Sequence, residues 1–160
     1  MQHLFHSVSE LFIFAYVDCF SITLAGSCGC RVIFFKYYIC FRHNNQRFAI
    51  CYGLSDEEAH RVSVTDNEGN ILYSFGGKRP GSGHEELNRP IQLAVDTDLD
   101  VIFVMDSGNN AVKILRLSDA KLLDVFVHAE MHDPRRLSVD SSMRHMAVAN
   151  EDGRILLFSY

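Results

Sequence analysis

Apolar and polar residues alternate most regularly in the centre of the chain, between residues 88 and 115. Three short apolar runs follow one another there, each rich in β-branched or aromatic residues and bounded by Gly, Asn or Asp. This pattern is typical of an antiparallel meander. The predicted strands are Ile91–Asp96, Val101–Asp106 and Ala111–Leu117, and the turns between them are Thr97–Asp100 and Ser107–Asn110.

The same pattern recurs 44 positions later in the chain. Pro90 then corresponds to Pro134, Leu93–Asp96 to Leu137–Asp140, Val104 to Val148, Asp106 to Asn150, and Ala111–Ile114 to Ile155–Phe158. A weaker copy precedes the centre, with strands expected at Arg47–Tyr52, His60–Asp66 and Asn70–Phe75, the last resembling Lys121–Phe126. A repeat of about 40 to 45 residues with four short strands is typical of a β-propeller blade, because one such sheet buries its two faces only by stacking against neighbours.

The central segment Asn70–Leu115 contains, in order, Phe75-Gly76, a glycine-rich loop, Asn88-Arg89-Pro90, Ala94-Val95-Asp96 and Asp106-Ser107-Gly108-Asn109. With these motifs in this order, the segment resembles the NHL repeat. The resemblance extends through Asp133–Tyr160 and weakens before Phe48. It implies a six-bladed β-propeller, often found at the C-terminus of tripartite-motif ubiquitin ligases, where it binds RNA or protein.

This chain departs from the family pattern in two respects. It holds about three blades, which cannot close a six-bladed ring, so we expect an incomplete NHL-type propeller of four-stranded antiparallel blades whose missing blades a longer chain supplies. It also lacks the zinc ligands of RING and B-box modules, since Cys28 and Cys30 have the wrong spacing. Ligase activity is therefore not expected here, and the resemblance implies a substrate-recognition part instead.

The first 45 residues differ in composition from the propeller region expected at residues 46–160. Leu11–Ala25 is apolar but too short for a membrane span of about 20 residues, and it follows a start without Lys or Arg, unlike a signal sequence. Strands over Leu11–Val17, Ser21–Leu24 and Arg31–Tyr38 are a further interpretation, which we favour slightly. Sequence foreign to the native protein is the remaining alternative.

The net charge bears on which partners the protein binds, and the cysteine content bears on the cellular compartment in which it is found. A net charge of -5 over 160 residues argues against nucleic-acid binding by the whole chain, although a local basic patch stays open. Five cysteines and the absence of an Asn-x-Ser/Thr sequon do not suggest a disulfide framework. We expect a cytoplasmic protein, while the signal-like N-terminus leaves secretion open.

The candidate ligand-binding residues come from loops expected at one end of the stacked sheets. They are Lys78, Arg79, Arg89, Asn109, Asn110, Arg135 and Arg136. A protein partner is the favoured interpretation, because such loop-lined surfaces commonly bind proteins or peptides. The alternative is RNA, with the cations on phosphates and the asparagines on base edges. The absence of aromatic stacking partners in these loops weighs against RNA, and no membrane partner is expected.

The candidate motifs for catalysis and for metal binding each lack a residue or a structural context that their chemistry requires. The glycine-rich loop Gly76–Gly83 lacks the Gly-Lys-Ser/Thr of a phosphate loop, and no Gly-x-Ser-x-Gly nucleophile elbow occurs. His128 and His132 fall in a loop rather than on a helix, without a third ligand in view. Asp96 and Asp140 recur at one position of the repeat, which favours a turn-forming role over a channel metal. We therefore expect neither an enzyme nor a cofactor nor a metal.

Overall fold

The computed structural model describes residues 17–18, 32–37, 51–66, 68–77 and 79–160 of the chain. These residues form antiparallel sheets, so the chain is all-β as predicted. A 3-10 turn over Ser107–Asn109 is the only helical segment among them, and no helix in this part of the chain is long and apolar enough to cross a membrane. The strands are β1 Val17–Asp18, β2 Val32–Tyr37, β3 Cys51–Asp56, β4 Arg61–Thr65, β5 Ile71–Gly76, β6 Pro90–Asp96, β7 Val101–Asp106, β8 Ala111–Arg116, β9 Leu122–Val127, β10 Pro134–Asp140, β11 His145–Asn150 and β12 Ile155–Ser159.

The strands group into three sheets, each a meander in sequence order. The first sheet contains β1 to β5, the middle sheet β6 to β9 and the third sheet β10 to β12. The middle sheet therefore has the four predicted strands, whereas the described residues give the first sheet five and the third sheet three. Strand β2 confirms the strand interpretation of Arg31–Tyr38 and pairs with β3, so the first sheet crosses the boundary expected at residues 45 and 46.

Strand bounds in the middle sheet are close to those predicted, and β3 extends beyond its predicted end. It begins at Cys51 and continues to Asp56, beyond the predicted end at Tyr52. Gly53 and Ser55 break the apolar alternation there, yet their backbones pair with Val64 and Val62 of β4. Backbone pairing with β4 thus extends β3 over residues whose side chains do not predict a strand. Residues 47–50 lie outside the described residues.

Two aspartates form the tight turns that follow the first strands of the middle and third sheets. The Oδ1 atom of Asp96 accepts the backbone N–H groups of Asp98 and Leu99 at 2.9 and 3.1 Å. Asp140 accepts those of Ser142 and Met143 at 3.0 and 3.1 Å. Such side-chain-to-backbone bonds stabilise a local turn. The predicted turn-forming role of both residues is confirmed.

The middle sheet is covered on both faces. One apolar cluster joins it to the first sheet, with Val62, Val64 and Phe75 against Leu93, Ile102, Val104 and Leu115. The other joins it to the third sheet, with Ile91, Phe103, Met105 and Val112 against Leu137, Met146 and Val148. As a result every residue of β7 is buried. Burial of a side chain such as Phe103 contributes on the order of 2–3 kcal/mol.

The third strands of the middle and third sheets are offset by one residue from the alignment expected from sequence. Asp106 pairs with Ala111 in the middle sheet, whereas Ala149 pairs with Ile155 in the third. The turn of the third sheet is one residue shorter, so placing Ala111–Ile114 on Ile155–Phe158 is wrong by one residue. Val104 pairs with Lys113 and its counterpart Val148 pairs with Leu156, which makes Leu156 the structural counterpart of Lys113.

Candidate functional site

The loops between sheets and the β3–β4, β7–β8 and β11–β12 turns meet at one end of the three sheets. This loop face comprises residues 57–60, 77–89 (Lys78 lies outside the described residues), 107–110, 128–133 and 151–154, together with Arg135 and Arg136. Because antiparallel strands alternate in direction, these segments share one end. Backbone contacts confirm the proximity, since Gly108 N–H donates to Asn88 O at 2.8 Å and Glu151 N–H to Asp133 O at 3.0 Å.

Arg89 joins the first sheet to the middle sheet at the loop face. Its Nε and Nη2 atoms donate to Oε1 of Glu57 at 3.0 and 2.7 Å. The hydrogen bond with Glu57, and then the charge of that carboxylate, raises the pKa of Arg89. The backbone N–H of Arg89 donates to Nδ1 of His60 at 3.0 Å. The guanidinium of this candidate residue is therefore already paired within the chain.

Arg135 is paired in a similar way, whereas two other cations are not. Nε of Arg135 donates to Oε2 of Glu151 at 2.5 Å, and its Nη2 contacts the same oxygen. Arg136 is exposed, and its Nη1 donates to the carbonyl of Arg135 at 2.8 Å. Arg79 is exposed as well. Within the described part of the chain, neither Arg79 nor Arg136 forms an ion pair.

The two candidate asparagines are engaged with the chain's own groups. Nδ2 of Asn109 donates to Gly81 O and to Oδ2 of Asp106, both at 2.8 Å. Oδ1 of Asn110 accepts the backbone N–H of Asp133 at 2.9 Å, and Asn110 has a left-handed φ of 50°. These contacts hold the loops in place. Both amide side chains are therefore already bonded within the chain.

Asp106 and Asn150 lie next to the loop face, but their side chains point away from the solvent. Both are buried at the ends of β7 and β11. Oδ1 of Asp106 accepts the N–H of Asn88 at 2.6 Å, and Oδ1 of Asn150 accepts the N–H of His132 at 3.3 Å. Each side chain turns inward because it satisfies a backbone group of the adjoining loop, which is costly to leave unpaired when buried.

Lys113 is a buried residue that sequence reasoning missed. Its side chain is 2% exposed, its Nζ donates to Gly83 O at 2.7 Å and contacts Glu86 O, and it lies 4.0 Å from Oδ2 of Asp106. Burial lowers the pKa of Lys113 and raises that of Asp106. By bonding to these two carbonyls, Lys113 holds the loop over residues 79–89 against the middle sheet. The sequence gives one indication that this position is buried, namely the apolar residue Leu156 at the equivalent position of the third sheet, and the one-residue offset hides that equivalence.

The opposite end of the sheets carries an ionic cluster around Asp96. Its Oδ2 accepts the Tyr160 hydroxyl at 2.8 Å and contacts Nη1 of Arg144. Burial pushes the pKa of Asp96 upward, but hydrogen bonds from Tyr160 and Arg144 outweigh it and the pKa is lowered. Burial, followed by the bond to Asp96, raises the pKa of Tyr160 to about 12. The cluster joins the middle sheet to the third sheet.

Two further features are the pair of histidines in the β9–β10 loop and a cavity beside β5. His128 and His132 do not converge on a metal: Nδ1 of His128 accepts the N–H of Glu130 at 3.2 Å, and the described residues contain no group of three His, Cys, Asp or Glu arranged to hold an ion. A cavity of about 430 Å³ lies between β5 and the β8–β9 turn, lined by Ser74, Phe75, Gly76, His84, Glu85, Asp119, Ala120, Lys121 and Leu122. No candidate residue lines that cavity.

Comparisons with known proteins identify no family. No family model matches the chain, and no curated protein matches it. Among solved structures it is similar to a candidate exported protein from Bacteroides fragilis, with 15% sequence identity and a TM-score of 0.49. The match covers 88% of this chain and 41% of the Bacteroides protein, so this chain spans less than half the length of that structure.

Proposed function

We propose that the chain is an incomplete NHL-type propeller that acts as a non-catalytic scaffold and binds a protein partner through the loop face. A contact that recurs in kind supports the propeller part of the proposal: the carbonyl of the first residue of β6 and that of β10 each accept a serine hydroxyl from the preceding sheet. Ser55 Oγ donates to Pro90 O at 3.1 Å, and Ser107 Oγ donates to Pro134 O at 2.9 Å. The two serines hold different positions in their sheets, since Asp56 is the counterpart of Asp106. A substrate-recognition role in a cytoplasmic, ubiquitin-ligase-like protein follows from the family resemblance alone.

The charge balance of the loop face favours protein over RNA and carries the proposal. Arg89 and Arg135 are each held by a carboxylate at the same end of the sheets. A phosphate would have to displace Glu57 or Glu151 from these guanidiniums, and the carboxylates would repel the rest of the nucleic acid. RNA affinity depends on unpaired cations that release counterions. A mixed, fixed array of both charge signs instead suits a protein surface of complementary charge.

A charge-reversal pair tests this surface in the full chain. Arg79→Glu/Arg136→Glu changes the loop face, and Arg116→Glu/Lys121→Glu makes the same change of charge at the opposite end. Each variant is immobilised beside the wild type, and proteins retained from a cell lysate are quantified by mass spectrometry. Specific proteins are expected to be lost from the loop-face variant at least tenfold and to be kept by the control variant, since reversed charge at an interface costs several kcal/mol.

The RNA alternative is tested with a fluorescein-labelled, single-stranded RNA across a salt series. Binding that weakens steeply with salt and disappears in the loop-face variant would replace the protein proposal by the RNA alternative. Identical retained proteins for both variants would remove the loop face as the binding surface. Circular dichroism of each variant confirms that the chains compared are folded.

A further inference from the structure

One backbone contact occurs at both junctions between the described sheets. Between the first and middle sheets, Arg89 N–H donates to Nδ1 of His60 at 3.0 Å, and between the middle and third sheets, Asp133 N–H donates to Oδ1 of Asn110 at 2.9 Å. Each donor precedes the proline that begins the next sheet, and each acceptor precedes β4 or its counterpart β8. All four residues have a left-handed φ, between 43° and 54°. The two contacts are therefore structurally equivalent.

The two acceptors respond differently to protons. An asparagine amide does not titrate, so Asn110 accepts the N–H of Asp133 regardless of pH. Nδ1 of a histidine accepts only in a neutral imidazole whose proton is on Nε2, because both ring nitrogens of the protonated form are donors. Histidine is the side chain whose charge ordinarily changes between about pH 5 and 8. Uptake of one proton therefore leaves His60 and the Arg89 N–H as two donors facing each other.

Charged groups lie on both sides of the contact between His60 and Arg89. From the first sheet they are Glu57, Glu58 and Arg61, and from the middle and third sheets they are Arg89, Asp106 and Asp133. Glu57 is already paired with the Arg89 guanidinium, with Nη2 and Oε1 2.7 Å apart. Burial raises the pKa of Asp106, whereas a positive charge on His60 lowers it. Asp106 therefore stabilises the charge of a protonated His60, but the Arg89 N–H still loses its acceptor.

The other anchors of the loop over residues 79–89 do not depend on His60. Nζ of Lys113 donates to Gly83 O at 2.7 Å, and the N–H of Asn88 donates to Asp106 at 2.6 Å. Both anchors belong to the middle sheet. Arg89 itself has a φ of 54°, a conformation that a non-glycine residue keeps only where its surroundings fix it. Loss of the contact with His60 therefore opens the loop at Arg89 and leaves the rest of it in place.

We propose that His60 is a pH-sensitive switch, which in its neutral form fastens the backbone of Arg89 to the first sheet and when protonated releases it. The equivalent junction between Asn110 and Asp133 stays closed in both states. Because Arg89 lies on the loop face, protonation changes that surface between about pH 7 and pH 5. The switch is a property of the chain by itself and does not depend on what the loop face binds.

Nuclear magnetic resonance of the full isotope-labelled chain tests the switch without a ligand. At pH 7 the nitrogen-15 shifts of the His60 ring are expected to show an unprotonated Nδ1. The hydrogen-exchange protection factor of the Arg89 amide, which corrects for the general effect of pH on exchange, is expected to fall at least tenfold from pH 7 to pH 5, whereas that of Asp133 stays constant. The midpoint should coincide with the titration of the His60 ring. A proton on Nδ1 at pH 7, or an Arg89 protection factor that does not change, would overturn the proposal.

Exchanging the two acceptors gives matched variants. His60→Asn is expected to keep the bond to Arg89 and to abolish the fall in protection, because the amide does not titrate. Asn110→His is expected to make the Asp133 amide lose protection over the same pH range, since the backbone has the same form at both junctions. An Arg89 amide that still loses protection in His60→Asn would assign the effect to another titrating group and overturn the proposal. If a variant does not fold, the titration of the wild type decides.

Discussion

Lys113 and Asp106 form a charged pair at a position where the next sheet has neutral residues. Their structural counterparts in the third sheet are Leu156 and Asn150. Asn150 still caps its adjoining loop, with Nδ2 donating to Glu130 O at 2.7 Å. The same backbone thus accepts a charged or a neutral pair. A buried charge is stabilising only while its partner remains.

Replacing the two residues singly and together measures this coupling. Lys113→Leu leaves Asp106 buried without its cation, and the free energy of unfolding is expected to fall by about 3–5 kcal/mol. Lys113→Leu/Asp106→Asn recreates the pair of the third sheet and should lose clearly less. Urea unfolding of the wild type, both single variants and the double variant completes the cycle. A double variant as unstable as the sum of the single variants would show that the two residues act independently.

Sequence predicted the residues that act locally better than those that act at a distance. Asp96 and Asp140 bond to their own turns, so residue type and spacing sufficed to predict their role. Lys113 contacts loop residues about 30 positions earlier. A lysine in an alternating strand is normally solvated, and only the folded loop supplies the carbonyl groups that keep it buried.

At the scale of single elements, the end of β5 depends on a glycine with no room for a side chain. Gly76 has a φ of +91°, and a Cβ atom there would collide with the carbonyl oxygen of His60. Gly69, which precedes β5, has a similar φ of +88° but open space around it. The two positions therefore share the conformational strain of an added side chain and differ only in the steric clash.

Alanine at these two glycines separates strain from collision. Gly69→Ala is expected to lower the free energy of unfolding by about 1 kcal/mol through its positive φ alone. Gly76→Ala should cost at least about 2 kcal/mol more, because the backbone of the β3–β4 turn must move. Thermal unfolding followed by circular dichroism compares both variants with the wild type. Equal decreases in the free energy of unfolding for the two variants would show that the β3–β4 turn moves away from the added Cβ atom at no energetic cost.

The elements themselves were largely predictable, and the exceptions have a physical cause. The turns at Thr97–Asp100 and Ser107–Asn110 use Asp, Gly and Asn, whose preference for turns is local. Strand β3 and the register of β12 instead depend on pairing with a neighbour and on the length of one turn. A turn that is one residue shorter does not change the alternation of apolar residues in the strand that follows, but it shifts the alignment of that strand with its counterpart by one residue.

At the scale of the whole molecule, polar contacts reinforce the apolar interface between the middle and third sheets. Gln92 bridges both backbone groups of Leu137, at 2.8 and 3.0 Å. Asp96 receives Arg144 and Tyr160 from the third sheet, and the Tyr160 ring packs edge-on against Phe103 at 4.7 Å between centroids. Titration of one carboxylate therefore acts on the association of two sheets.

The lowered pKa of Asp96 fixes the sign of a pH effect. The folded state keeps this carboxylate ionised at a pH where the unfolded chain, with a pKa of about 3.9, takes up a proton. Its contribution is thus present above about pH 4 and is lost as the pH falls through the folded pKa. Asp96→Asn should lower the free energy of unfolding by about 1–3 kcal/mol at pH 7, and the gap to wild type should narrow toward pH 2.

Asp140→Asn is the matched control for this measurement. Asp140 accepts the same two backbone turn bonds as Asp96, accepts a further bond from the Ser142 hydroxyl at 2.6 Å, and has no ion pair among the described residues. Urea midpoints at pH 7, 5 and 3, taken for both variants and the wild type, isolate the contribution of Arg144 and Tyr160. A gap for Asp96→Asn that is independent of pH would contradict an ionised, bonded carboxylate.

The equivalence of the two inter-sheet interfaces has a genetic consequence. Leu93, Ile102 and Val104 face the first sheet, and their counterparts Leu137, Met146 and Val148 face the middle sheet. The 44 residues from Pro90 to Asp133 therefore form a unit whose two sides are complementary to each other. An in-frame tandem duplication of the corresponding gene segment would stack a new sheet between existing ones, so genes of this kind can lengthen or shorten by whole units through unequal recombination.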